Sequence, residues 1–148
     1  MELYVSEVSN EGTTLFEEEA GYTAIRNFED LIAWQRAREL TAEVYMLARA
    51  RGLRQDFGLR DQLQRAAVSV MSNIAEGHER GSSREYFRFL TIAKASCAEV
   101  SSLLYVAHDA GYIDEDAFRR HLDTTRRVGQ LVGALRSSIS RRIDSQRR

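Results

Sequence analysis

Four stretches of the chain repeat apolar residues at helical spacing, and short glycine-marked breaks separate them at Gly52, at Gly77 to Gly81 and at Gly111. Glycine just past a helix end is the usual stop. The first stretch predicts a helix from about Asp30 to Arg51, with Leu31, Trp34, Leu40, Val44 and Leu47 on one side. The second, from about Phe57 to Glu76, carries Leu59, Leu63, Ala66, Ala67, Val70, Met71 and Ile74, and Gly77 is expected to end it. Apolar residues cover most of its circumference, which marks it as the most buried helix. The third opens with Ser82 three residues before Glu85, a capping box in which each side chain satisfies an end amide of the other. Its apolar positions, Tyr86, Leu90, Ala93, Cys97, Val100, Leu104 and Ala107, step alternately by four and three and form a heptad seam. The fourth starts at Asp114, with Glu115 and Asp116 complementing the positive end of its dipole. It carries Phe118, Leu122, Thr125, Val128, Val132, Leu135 and Ile139 and is expected to run to the C-terminus.

Four helices joined by short connections prefer antiparallel neighbours, so the expected fold is all-α, an up-down-up-down four-helix bundle over residues 28–148. No proline interrupts it. Residues 1–27 differ in character. They carry six acids against Arg26, net −5, while the rest of the chain carries 16 acids against 20 bases, net +4. Leu3, Tyr4, Val5 and Val8, then Asn10-Glu11-Gly12, then Thr13 to Phe16 have the pattern of a small hairpin. A lone two-stranded hairpin is marginal in water, so the expectation for this acidic tail is disorder, or docking on a partner.

Chemistry that would mark an enzyme is sparse. His78, His108 and His121 fall on a loop and two helices without metal-ligand spacing, no cysteine pair exists, and GxSxG and phosphate-cradling glycine loops are absent. A di-metal bundle would want Glu-x-x-His on two helices, and the acids Glu39, Glu43, Glu76, Glu85 and Glu99 come without it. The expectation is no catalysis, no metal and no cofactor. Cys97, the single cysteine, excludes an internal disulfide and fits a buried thiol in a reducing compartment. The longest apolar run, Leu103 to Ala107, falls far short of the ~20 residues that span a bilayer. Together these read as a soluble, cytoplasmic protein.

Three features suggest a role beyond packing. Ser72, Asn73 and Glu76, with Gly77, place a polar motif where core is expected; with Arg80 or Arg84 they would form a pocket, or pin the crossing into the third helix by charge-assisted hydrogen bonds. Phe87, Phe89, Ile92, Leu103 and Val106 lie off the third helix's seam, a surplus of apolar surface that implies a neighbouring subunit. Gly129 and Gly133 form a small-xxx-small step where another backbone can approach. Finally, Arg120, Arg127, Arg141 and Arg148 recur at heptad spacing, with Ala134 in the gap and Arg119, Arg126 and Arg147 beside them; Arg84 and Arg88 add a shorter pair. Such a stripe on a helix roughly 40 Å long can follow a phosphate backbone, electrostatically and with little sequence specificity. The alternative is a solvated charged face, since no aromatic residues are interleaved.

The segments FEDLIAWQRARELTAEVY from Phe28, GLRDQLQRAAVS from Gly58, SREYFRFLTIAKASCAEVSSLL from Ser83 and GYI from Gly111, with VSVMSNIAEG between them, closely resemble the bacterial four helix bundle protein family. That family includes the proteins encoded in 23S ribosomal RNA intervening sequences and is related to the accessory protein of diversity-generating retroelements. It usually has proline where this chain has Met71 and often where it has Leu53. The resemblance covers residues 28 to about 140 and implies a ring-forming homo-oligomer, a pentamer. With the arginine stripe it points to a non-enzymatic nucleic-acid binder, with structured RNA or an RNA-protein complex as ligand. The rival is a protein-interaction scaffold, an accessory subunit for a retroelement reverse transcriptase.

Overall fold

A computed structural model describes residues 25–148. The acidic tail and its hairpin pattern lie outside the described residues, apart from the tail's last three. A 3-10 turn over Phe28–Asp30 leads into α1 (Ile32–Leu47), followed by α2 (Phe57–Glu79), α3 (Ser83–Asp109) and α4 (Glu115–Ser145). The described residues hold no strand.

The helix starts follow their caps. Asp56 Oδ1 accepts from the Leu59 amide at 3.1 Å, Ser82 Oγ from Glu85 at 3.4 Å and Asp114 Oδ1 from Ala117 at 2.8 Å. Each satisfies an amide that the helix itself leaves unbonded. α1 has no side-chain cap, and its first turn follows the 3-10 segment, so it begins two residues later than its apolar pattern suggests. It also ends at Leu47 rather than Arg51, because the chain from Ala48 turns towards Gly52 at φ +92°. A Cβ there would sit 2.7 Å from the Tyr112 ring, so both backbone angle and space demand glycine.

α2 corrects the expected stop at Gly77. The helix runs through it to Glu79, and Gly81, at φ +75°, makes the break instead. Gly77 is buried because α3 approaches it closely: a Cβ would lie 2.7 Å from Phe89 Cβ and 3.0 Å from Tyr86 Cδ2.

α1 packs on α2 and α4, and α3 on α2 and α4, so the four form a closed helical bundle around one core. Leu40, Val44, Leu63, Val70, Ile74, Leu90, Val100, Leu104, Val128 and Val132 are fully enclosed, together with Leu53 from the first connection. Every residue of the predicted α3 seam is buried, as is every predicted apolar position of α4. Thr125 is enclosed too, and its hydroxyl donates to His121 O at 2.7 Å. The third helix is more apolar than the short run at Leu103 implied. By length and composition α3 could cross a membrane, and its packing against both neighbours accounts for one side of that apolarity.

Candidate nucleic-acid interface

The arginines of α4 separate into bound and free. Arg119 Nε donates to Glu115 Oε1 at 2.7 Å, and Glu115 also meets His108 Nε2 at 2.9 Å. The Arg119 hydrogen bond holds the Glu115 carboxyl below the usual carboxylate range and raises the guanidinium in turn. Arg127 is paired with Asp123 at 3.1 Å. Arg120, Arg126, Arg141 and Arg148 are exposed and have no carboxylate within ion-pairing distance among the described residues. The heptad line is also interrupted: Ala134 is 6% exposed, so the row passes under the protein surface there. Two groups result, about 21 Å apart between Arg127 and Arg141 at 1.5 Å per residue.

Register between α3 and α4 assembles a different row. Gly129 faces Cys97 Cβ at 3.6 Å from its virtual Cβ, and Gly133 faces Lys94 Nζ at 3.1 Å. The small-xxx-small step thus receives α3 of the same chain. Lys94 crosses α4 where Gly133 leaves room. One turn on, Arg136 Nε donates to Thr91 Oγ1 at 2.8 Å, and its guanidinium lies 4.5 Å over Phe87. On α3 the facing row is Arg84, Phe87, Thr91 and Lys94; on α4 it is Arg126, Gly129, Gly133 and Arg136, each stepping by three or four. Arg84, Lys94, Arg126 and Arg136 therefore line one seam, flanked by exposed Arg88, and neither row contains an acid. None of these five basic side chains is ion-paired among the described residues. Spacing along the sequence does not single out Lys94 or Arg136, because only the register of two helices brings them together.

The polar motif of α2 lies outside the core. Helical period turns Val70, Ile74 and Gly77 inward, which leaves Ser72 and Glu76 exposed and Asn73 half-buried. Glu76 pairs with Arg80 at 2.9 Å, both about half exposed, and that hydrogen bond raises the guanidinium. Arg80 then lies 5.0 Å over Phe89 of α3, so the motif does tie α2 to α3. Arg84 takes no part in it. Asn73 Nδ2 donates to Ser69 O at 2.8 Å and Ser69 Oγ at 3.0 Å, and Ser69 Oγ meets buried Ser96 Oγ at 2.8 Å.

Of the surplus apolar residues on α3, Phe87, Phe89 and Leu103 are half-buried within the chain, while Ile92 and Val106 are 39% and 48% exposed. The histidines sit apart: His78 against Ile25 O, His108 stacked on Phe118, His121 near Glu43. Burial pushes the Cys97 thiol up to about 12, so it stays protonated and unreactive at neutral pH. Among the described residues, no three His, Cys, Asp or Glu side chains gather as a metal site would require.

A sequence profile described as 23S rRNA-intervening sequence protein matches residues 29–134. Among solved structures, a protein of unknown function from the S23 ribosomal protein family of Bacteroides thetaiotaomicron VPI-5482 superposes with a TM-score of 0.63. The two are 16% identical over 70% of this chain and 97% of that one, a likeness of fold. No curated protein matches.

Proposed function

Because the chain belongs to the 23S rRNA-intervening sequence protein family, we propose that it is a non-catalytic bundle that binds structured RNA, alone or within an RNA-protein complex, through the seam between α3 and α4. The observation that carries this reading is the acid-free row of Arg84, Lys94, Arg126 and Arg136, with Arg88 beside it. These cations have no carboxylate partner among the described residues, so their charge is not neutralised within the chain, although Arg136 already donates to Thr91 Oγ1. Those already paired, Arg119 and Arg127, must first give up a carboxylate. Arginine's planar donors suit bidentate phosphate contact.

In the same reading the helices run antiparallel, up-down-up-down, and the protein works in the cytoplasm as a ring of five. Ile92, Tyr105 and Val106 on α3 are exposed apolar residues available to a neighbouring copy. The same residues support a second reading, in which α3 docks on a protein such as a retroelement reverse transcriptase.

The test is binding of a blunt-ended RNA duplex across a salt series. Replacing Arg84, Lys94, Arg126 and Arg136 together by glutamine is expected to flatten the slope of log K against log salt by about three to four, at ~0.9 for each phosphate no longer neutralised. No binding by the wild type at ~50 mM salt refutes the RNA reading in favour of the protein scaffold. Native mass spectrometry of the same sample tests the ring, and a monomer at micromolar concentration refutes it.

A further inference from the structure

A groove of about 610 Å³ runs along α2, apart from the basic α3–α4 seam, lined by Tyr45 of α1 and by Asp61, Gln64, Arg65, Val68, Ser69, Ser72 and Asn73. We propose that it holds an unpaired stretch of nucleic acid, with a base stacked on Tyr45, the following phosphate on Arg65 and the next base edge at Ser72 and Asn73. This deepens the nucleic-acid reading above and rests on it.

The lining is polar and largely unspent. The side chains of Tyr45, Gln64, Arg65 and Ser72 make no hydrogen bond or ion pair with any described residue. Asn73 is different in a useful way. Its Nδ2 donates to Ser69 O and lies within hydrogen-bond distance of Ser69 Oγ, which is itself held by Ser96, so the amide is oriented and Oδ1 remains as an acceptor. Thr41 Oγ1, one turn before Tyr45, shares its single hydrogen between Ala37 O at 2.8 Å and Ala67 O at 3.1 Å, and the longer contact links the wall carrying the ring to the floor carrying Arg65. Tyr45 is 45% exposed, a large aromatic face left to solvent beside polar groups. Bases stack on such faces whatever their identity.

Length and charge select a strand over a free nucleotide. From Asp61 to Asn73 the groove spans about 18 Å at 1.5 Å per residue, longer than one nucleotide needs. Arg65 supplies a cation between the ends that is unpaired among the described residues. Asp61, 3.5 Å from Arg60 Nε, would repel phosphate from the Tyr45 end and accept from an exocyclic amino group there.

The experiment measures anisotropy of a labelled single-stranded cytidine octamer and of an RNA duplex with the wild type, Tyr45→Ala, Arg65→Gln and the fourfold seam variant. The substituted side chains are exposed or, at Arg136, half-buried on the surface seam, and circular dichroism verifies each fold. Tyr45→Ala is expected to weaken octamer binding roughly fivefold or more and to leave duplex binding unchanged. Arg65→Gln is expected to reduce the octamer's salt slope by about 0.7. Octamer affinity equal to wild type in both variants overturns the groove. If the duplex fails to bind the wild type while the octamer binds and depends on Tyr45, the seam reading falls and the groove stands. If neither probe binds, both fall.

Discussion

Two glycine-to-alanine changes, chemically identical, should move stability in opposite directions. Alanine in a helix interior gains up to about 1 kcal/mol over glycine from propensity. At Gly129 the new methyl would meet Cys97 Cβ at 3.6 Å, ordinary contact, so most of that gain should appear. At Gly77 it would meet Phe89 Cβ at 2.7 Å and Tyr86 Cδ2 at 3.0 Å. Phe89 Cβ is bonded to the α3 backbone and cannot rotate away. The two helices must separate where Ile74 and Leu90 are fully enclosed, and such overpacking costs about 1–3 kcal/mol. Gly77 also stands in the last turn of α2, where the propensity gain is smaller. Gly129→Ala should therefore be stabilised by up to ~1 kcal/mol and Gly77→Ala destabilised by ~0.5–2 kcal/mol. At roughly 2–4 °C per kcal/mol for a domain this size, thermal melts followed by circular dichroism at one protein concentration should separate the variants by several degrees. Gly77→Ala melting at or above Gly129→Ala would refute the close approach of α2 and α3.

Cys97, 4% exposed with its thiol pushed up to about 12, should resist iodoacetamide at pH 8 in the folded protein and react once urea unfolds it; rapid stoichiometric labelling of the native state would contradict its burial. Tyr112 donates to Asp56 Oδ2 at 3.0 Å, and that hydrogen bond to a carboxylate raises its phenol above the usual tyrosine range of ~10. Because the folded state holds this proton more tightly than the unfolded state, the contribution is complete below pH ~10 and is lost as pH rises through the raised value. Tyr112→Phe should remove one late-titrating tyrosine from an absorbance titration at high pH and flatten the fall in stability there; an unchanged titration would place the bond elsewhere.

Local sequence dictates the helices and their inward faces. The α3 seam from Tyr86 to Ala107 and the α4 stripe from Phe118 to Ile139 are buried residue for residue, because a helix has one period and burial follows it. The caps at Ser82 and Asp114 act within three residues, so short-range order alone places the starts of α3 and α4. What lies between helices depends on how they pack. Gly77 carries the same letter as Gly81, yet one lies inside α2 against α3 and the other breaks the chain; only the approach of Phe89 separates them. Heptad spacing draws attention to Arg119 and Arg127, which acids four residues back neutralise, and passes over Lys94 and Arg136. Their common position depends on how far α3 has slid along α4, a single displacement set by Cys97 against Gly129 and Lys94 across Gly133. That register is a property of two packed surfaces, and no spacing along one chain segment contains it.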